Sequence, residues 1–186
     1  MDQPSTGRNY DVTSLVPGVA ASLRMWDRLG LSLGEAVVIT DGHRWSRLTA
    51  LVATWYGAVP VIIQSADSRP LPPAVTRLEV ADPADRAKVL ASLVNGLPAV
   101  VAAELSGRAD AVDMLLEALP AMSRLMLAGN AAEALTIDYY VNVHRKGLHL
   151  MSCVLDDGAS LDEYLERAER LLARPERAVA CRAAIG

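Results

Sequence analysis

Residues 36–63 read "AVVITDGHRWSRLTALVATWYGAVPVII". A β-branched run from Ala36 to Thr40 leads into a tight turn. Beyond the turn, Leu48, Leu51, Val52, Trp55 and Tyr56 fall at i, i+3, i+4, i+7 and i+8, which is one face of a helix. Gly57 supplies a stop for that helix, and a second β-branched run spans Val59 to Ile63, with Val61-Ile62-Ile63 at its centre. The stretch is a strand–helix–strand unit. Its turn, Asp41-Gly42-His43-Arg44-Trp45-Ser46-Arg47, is rich in side chains where such units crowd glycines.

The same alternation continues on both sides. Upstream, Thr13 or Ser14 offers a hydroxyl cap for a helix with Pro17 near its first turn, and Val19, Leu23, Trp26 and Leu29 or Gly30 trace one face. "LSLGE" (31–35) is a turn. Downstream, a weaker third strand is expected from Arg77 to Ala81. A helix follows from Asp85 to Asn95, with Val89, Leu90, Leu93 and Val94 inward and Gly96 as its stop. Val100 to Ala103 is a fourth strand. Ala109 to Leu119 is a helix with Val112, Leu115, Leu116 and Leu119 inward. Leu125 to Leu127 is a fifth strand, Leu148 to Cys153 a sixth, and Leu161 to Ala173 a last helix. "TIDYYVNVH" (136–144) fits either period and is read as helix. Pro70, Pro72 and Pro73 make the connection at 65–76 a loop or a very short helix, since proline inside a helix costs about 3 kcal/mol. "RPERAVACRAAIG" (174–186) trails off, and Asp156-Asp157-Gly158 is a turn and cap.

Strands that are apolar throughout and alternate with helices form a parallel sheet covered on both faces. Right-handed crossovers then give a three-layer, doubly wound, Rossmann-like α/β fold with a mainly parallel six-stranded sheet. A chain of 186 residues with 52% hydrophobic content fits one domain, here 13–186 behind a flexible tail at 1–12. Met1 and the polar residues after it read as a genuine chain start. A net charge of −4, with no basic face and few aromatics, argues against nucleic acid. Neither a signal core nor an apolar run of membrane length is seen, so no membrane partner and a cytoplasmic location are expected. Cys153 and Cys181 lack metal-ligand spacing and read as thiols of a reducing compartment.

The order of pieces resembles the nucleotide-binding half of the medium-chain dehydrogenase/reductases, the zinc-type alcohol dehydrogenase and quinone oxidoreductase superfamily. "LGLSLGEAVVIT" (29–40) and "LTALVATWYGAVPVII" (48–63) carry the likeness first. "AVVAAELSG" (99–107) looks like the fourth strand with its terminal Ser-Gly, and "ALPAMSRLMLAG" (118–129) like the fifth strand and its Gly. "RKGLHLMSC" (145–153) and "SLDEYLERAERLLA" (160–173) look like the sixth strand and the helix after it. The likeness covers roughly residues 13–175. It implies a nicotinamide cofactor in a separate GroES-like domain's company, yet no room for that domain is seen on either side.

The family's G-x-G-x-x-G fingerprint falls on Asp41, His43 and Ser46, none of them glycine, with Gly42 between the first two. Those glycines permit a tight turn, close approach of a diphosphate, and helix–strand packing. A His side chain at the second position should occupy phosphate space, and Asp41 adds negative charge. His43, Arg44 and Arg47 are either solvated side chains or, with the helix N-terminus, an anion site. Trp45 either fills the vacated cleft or anchors a partner. At the end of the second strand, Ser65 stands nearest the position of the ribose-binding acid and Arg69 follows; the stretch is either a polar loop beside the proline cluster or an arrangement that resembles the NADP type, with Asp67 a ribose candidate. Ser106, Gly107 and Gly129 border the cofactor in the resembled family and also suit turn geometry. His144 and His149 have no ligand partners at metal spacing, and no metal site is expected.

Three functions fit these residues. The first is a stand-alone, degenerate dehydrogenase-like domain, a non-catalytic binding or assembly protein that forms a homodimer through Leu148 to Cys153. The second is an NADP(H)-dependent oxidoreductase component whose substrate groups come from a partner chain. The third is a small-molecule enzyme using the same cleft without nicotinamide, with His43 and Asp41 as acid/base candidates.

Overall fold

The computed structural model describes residues 11–80, 82–97, 100–131, 134–155 and 161–185. The tail up to residue 10, the Ala81 end of the expected third strand and the Asp156-Asp157-Gly158 turn lie outside the described residues. Six strands form one sheet: β1 (Ala36–Thr40), β2 (Val61–Gln64), β3 (Val75–Arg77), β4 (Val100–Glu104), β5 (Arg124–Leu127) and β6 (His149–Ser152). Their order is β3-β2-β1-β4-β5-β6, and every adjacent pair is parallel. The chain leaves β3 at one edge and re-enters beside β1, so the strand order reverses between β1 and β4. Ligands of doubly wound sheets bind at such a reversal, outside the carboxyl ends of the strands.

The helices are α1 (Val12–Leu29), α2 (Ser46–Trp55), α3 (Arg86–Val94), α4 (Ala109–Ala118), α5 (Asp162–Leu172) and α6 (Pro175–Ile185). Alternate residues along a strand face opposite sides, and two cores follow from this. Val37, Ile39, Val101 and Ala103 pack under α1, α2, α5 and α6, whereas Val38, Ile62, Val100, Ala102 and Leu125 pack under α3 and α4. Central strands covered on both sides must be apolar at every position, and β1 is buried from end to end. Among the described residues no helix is long and apolar enough to cross a membrane.

Several local expectations are corrected. α1 begins one to two residues before Thr13 and Ser14, with Asp11 at its N-cap; the Thr13 hydroxyl donates to the Asp11 carboxylate at 2.9 Å. Pro17 therefore lies inside the helix. β2 starts at Val61, as expected, and runs on to Gln64. β3 lies at Val75–Arg77 because its register pairs Val61 with Val75, and Leu78 only continues the ladder by donating its N–H to Ile63. Leu93 points outward from α3 and is 48% exposed. Residues 136–138 are irregular, and only Tyr139–His144 close into a π-helical turn. The segment expected to trail off from residue 174 forms α6, which buries Ala178, Cys181 and Ala184.

α1 and α2 share a polar seam inside the first core. The Trp26 indole N–H donates to the Thr49 carbonyl at 3.1 Å, and the Ser22 and Thr49 hydroxyls lie 2.9 Å apart. Gly18 lets α1 approach the head of α2. A Cβ there would stand 2.7 Å from the Trp45 ring and 2.8 Å from Leu48 Cδ2. Glycine to alanine in a helix interior normally stabilises by about 0.5–1 kcal/mol. Here Gly18→Ala is expected to destabilise instead, by about 1–3 kcal/mol from overpacking, and Trp45→Leu in the same chain should restore most of the loss; urea denaturation measures both.

Candidate functional site

The tip of β1 and the loop after β4 are tied together by a carboxylate that the sequence pattern did not single out, and the end of β5 joins them through the backbone of the same residue. Glu104, at the last position of β4, is 1% exposed. Its Oε1 accepts from the Thr40 hydroxyl at 3.0 Å, from Ser106 N at 2.7 Å and from the Ser106 hydroxyl. Gly107 N donates to both carboxylate oxygens at 3.1 Å. The Glu104 carbonyl accepts from Ala128 N and Gly129 N at 2.9 Å each. A charged group out of water is tolerated only when hydrogen bonds replace its hydration; here most of the donors converge on Oε1, and Oε2 shares the Gly107 N–H. The backbone is drawn tight around it. A Cβ on Gly129 would meet Gly107 N at 2.1 Å, one on Gly107 (φ +70°) would meet the Asn130 carbonyl at 2.3 Å, and one on Gly42 would meet Ser106 Cα at 2.5 Å. Ser106, Gly107 and Gly129 thus have clear turn roles, and Gly42 allows the β1 and β4 loops to touch across the reversal point.

The turn after β1 is closed by its own side chains. The Ser46 hydroxyl donates to the His43 carbonyl at 2.8 Å and accepts from Gly42 N at 3.3 Å and His43 N at 3.1 Å. His43 Nδ1 accepts from Trp45 N at 3.2 Å, and Ser46 N donates to the His43 carbonyl at 2.9 Å. Backbone N–H groups at a helix start are what hold a phosphate in an anion site; here four of them already have acceptors. Trp45 packs over Gly18 and Leu48 rather than standing out as an anchor, with the Arg44 guanidinium 4.9 Å above its ring.

Beside this turn lies a cleft of about 390 Å3, bounded by Asp41 to Arg44, by Ser65 to Asp67 with Arg69, and by Ala184 and Ile185 of α6. Arg47 lines it and is no solvated charge: its side chain is 5% exposed. Nη2 donates to the Arg69 carbonyl at 2.7 Å and lies 3.7 Å from Asp67, while Nε is buried without a hydrogen-bond partner. Burial presses the Arg47 guanidinium down from its usual range, against the pull of Asp67. The Ser65 hydroxyl donates to Asp41 at 2.5 Å. Asp67 is held by Arg69 at 2.6 Å. Hydrogen bonds from the Arg69 side chain and backbone lower the Asp67 carboxyl to about 2. A smaller cavity of about 180 Å3 opens on the other side of Asp41, between Gln64 and Ser106.

No protein-family model matches the sequence, and no curated protein matches it at a significant level. Solved structures do match. AibC has a TM-score of 0.72 at 18% identity, over 97% of this chain and 53% of its own. Galactitol-1-phosphate dehydrogenase from Escherichia coli has a TM-score of 0.69 at 16% identity, over 91% of this chain and 51% of its own. A zinc-binding dehydrogenase from Sinorhizobium meliloti, solved with NADP, has a TM-score of 0.64 at 20% identity, over 86% and 51%. The chain has the fold of half a zinc-binding dehydrogenase. It spans about half the length of the structures it matches.

The residues singled out from the sequence gather at one end of the sheet, outside the carboxyl ends of the strands, where ligands of doubly wound sheets bind. They do not gather as a single group. Gly42, His43, Arg44, Arg47, Ser65 and Arg69 line the larger cleft, whereas Ser106 faces the smaller one. Ser46 is buried within the turn, and Gly107 and Gly129 are occupied with Glu104. Asp41 turns to Ser65, and His43 Nδ1 turns to Trp45 N–H. His144 stacks on Tyr140 at 5.5 Å between ring centroids, and no group of three metal-binding side chains occurs among the described residues. Glu104, Ala184 and Ile185 were missed. A single acid closing an otherwise apolar strand was the available signal for Glu104.

Two outcomes are expected. Glu104→Ala leaves buried N–H and O–H donors unfilled, each worth about 1–3 kcal/mol, so urea denaturation should show a loss of about 3 kcal/mol or more, with a smaller loss for Glu104→Gln. For Asp67, the folded carboxyl lies below its unfolded value, so its contribution is present above pH about 4 and lost as pH falls toward about 2. A carboxyl NMR titration of Asp67 should give a midpoint near 2, and Asp67→Asn should remove that part of the acid sensitivity.

Proposed function

We propose that this dehydrogenase-like Rossmann domain is a non-catalytic binding or assembly protein whose diphosphate site is closed from within. The turn after β1 carries the proposal: Ser46 and His43 take up the Gly42, His43, Trp45 and Ser46 N–H groups that a diphosphate would need. The acid/base alternative is weakened by the same geometry, because Asp41 and His43 are each engaged locally.

Assembly rests on β6, the last strand of the sheet, whose outer side is unpaired among the described residues. His149 N and Cys153 N donate inward to Ser123 and Leu127 of the β5 region, so by alternation Leu150 N and Ser152 N face outward. An open edge strand of this kind invites pairing, and a second copy of the chain is the partner proposed. Cys153 and Cys181 are free thiols, which fits the proposed cytoplasmic setting.

A second reading keeps one specific observation. Arg44, Arg47 and Arg69 share the larger cleft with Ser65, and guanidinium groups suit a phosphate. This supports an NADP(H)-binding oxidoreductase component completed by a partner chain.

Thermal melting with NADPH and NADH decides between the two. A ligand at 100 times its Kd adds about 2.7 kcal/mol. The expected result for the native chain is no shift with either nucleotide, and a clear shift with NADPH transfers the assignment to the second reading. The triple variant Asp41→Gly, His43→Gly, Ser46→Gly is expected to gain measurable nucleotide affinity, because it frees the turn's N–H groups and removes the imidazole. For assembly, Ser152→Pro deletes an outward donor and is tolerated at an edge. It should melt within a few degrees of the native chain while light scattering changes from dimer to monomer; a native chain already monomeric at high concentration refutes the dimer.

A further inference from the structure

One wall of the larger cleft is the last turn of α6. Ala184 and Ile185 line it opposite the loops that carry Arg44 and Arg69. The helix packs mainly on α2, with smaller contacts to α5 and α1. Its fully buried residues are Ala178, Cys181 and Ala184. Burial stabilises roughly in proportion to the apolar area removed from water, and these three side chains are small. α2 beneath it buries Leu48, Leu51 and Val52. Val179 of α6 points away from the core and is 57% exposed.

Polar contacts tie both ends of the helix. Near its start, the Arg177 guanidinium lies 4.8 Å over the Trp55 ring, while Arg177 Nη1 is buried without an acceptor. The ring contact favours docking, but the stranded donor would regain water on release. At the far end, Arg69 Nη1 donates to the Ile185 carbonyl at 3.4 Å, near the outer limit of a hydrogen bond. Arg69 is itself held by Asp67, to which its Nε donates at 2.7 Å. Arg69 therefore links α6 to the loop after β2, across the mouth of the cleft.

Elements with little buried apolar area open at free energies well below that of global unfolding. We infer that α6 is a releasable strap. It detaches from α2 as a unit while the sheet stays folded, and its docked position, latched by Arg69, shuts the outer side of the cleft. Release takes away the Ala184 and Ile185 wall and returns Arg177 to water. The strap governs access to the cleft whether or not the cleft accepts a nucleotide, so it goes beyond the function proposed above.

Cys181 is a built-in reporter of the strap. It is 0% exposed on the docked face, and burial pushes its thiol up to about 12, so it is inert while α6 is docked. Iodoacetamide labelling of the native full chain, read by peptide mass through a series of low urea concentrations, measures the opening. Cys181 is expected to label at least about tenfold faster than global unfolding allows, at a rate nearly flat across low urea. Hydrogen exchange should give the amides from Cys181 to Ile185 the same opening equilibrium, with those of β1 and β4 protected to the global limit. Neither measurement needs a variant to fold. Arg69→Gln should speed Cys181 labelling by about threefold, the worth of one weak hydrogen bond, with little change in the urea midpoint of the sheet. Cys181 labelling that follows global unfolding through the urea series, exchange of the α6 amides only together with the sheet, or an unchanged rate in Arg69→Gln overturns the strap. None of these readouts involves a nucleotide or the oligomeric state, so failure here is distinct from failure there.

Discussion

The Glu104 carboxylate anchors the whole binding end of this molecule. It gathers donors from the end of β1, from the loop after β4 and, through its carbonyl, from the end of β5. A buried carboxylate that makes no ion pair among the described residues is stable only while those donors stay in place. The requirement runs both ways: the carboxylate needs the loops' donors, and those buried donors need an acceptor. Gly42, Gly107 and Gly129 follow from this, since the pull leaves no space for a Cβ at any of them. The tight contact between Gly42 and Ser106 is therefore set by strand-end chemistry.

The turn after β1 solves the same problem in another way. A helix start exposes N–H groups that need acceptors. A glycine-rich turn leaves them for a bound anion, whereas this turn fills them with the Ser46 hydroxyl and the His43 imidazole. Of the turn's arginines, Arg44 is exposed and lies over the Trp45 ring. Arg47 is buried and crosses to the β2 loop, where Asp67 and the Arg69 carbonyl receive it. The result is a cleft with charged walls beside a turn in which the Gly42, His43, Trp45 and Ser46 N–H groups already have acceptors. α6 completes the outer wall with Ala184 and Ile185.

Much of the architecture was legible because central parallel strands cannot hide their composition. The Val and Ile runs of β1 and β2, the 3.6-residue stripe of α2 and that of α4 all predict elements that are present. Where the pattern was weak, reading failed for identifiable reasons. α6 buries Ala178, Cys181 and Ala184, residues too small to make an apolar stripe, and its remaining faces are charged or solvent-facing. β3 is three residues long, so its register against Val61 to Ile63 carries more information than its own composition. Leu93 looked inward by periodicity, but α3 is held by Ala87, Leu90 and Val94, leaving Leu93 outside.

The amino-acid sequence alone determined the strand–helix alternation, the doubly wound parallel sheet and the replacement of three turn glycines by Asp41, His43 and Ser46. Each of these is a local property of composition and spacing. Only the tertiary structure decided which polar groups are buried and what fills them. Glu104, Arg47 and Arg177 are ordinary charged residues until distant segments remove their water; Thr40 reaches Glu104 from β1 and the Arg69 carbonyl receives Arg47, whereas Arg177 Nη1 has no acceptor among the described residues. Desolvation depends on every element packed around a group, so no window of sequence contains it.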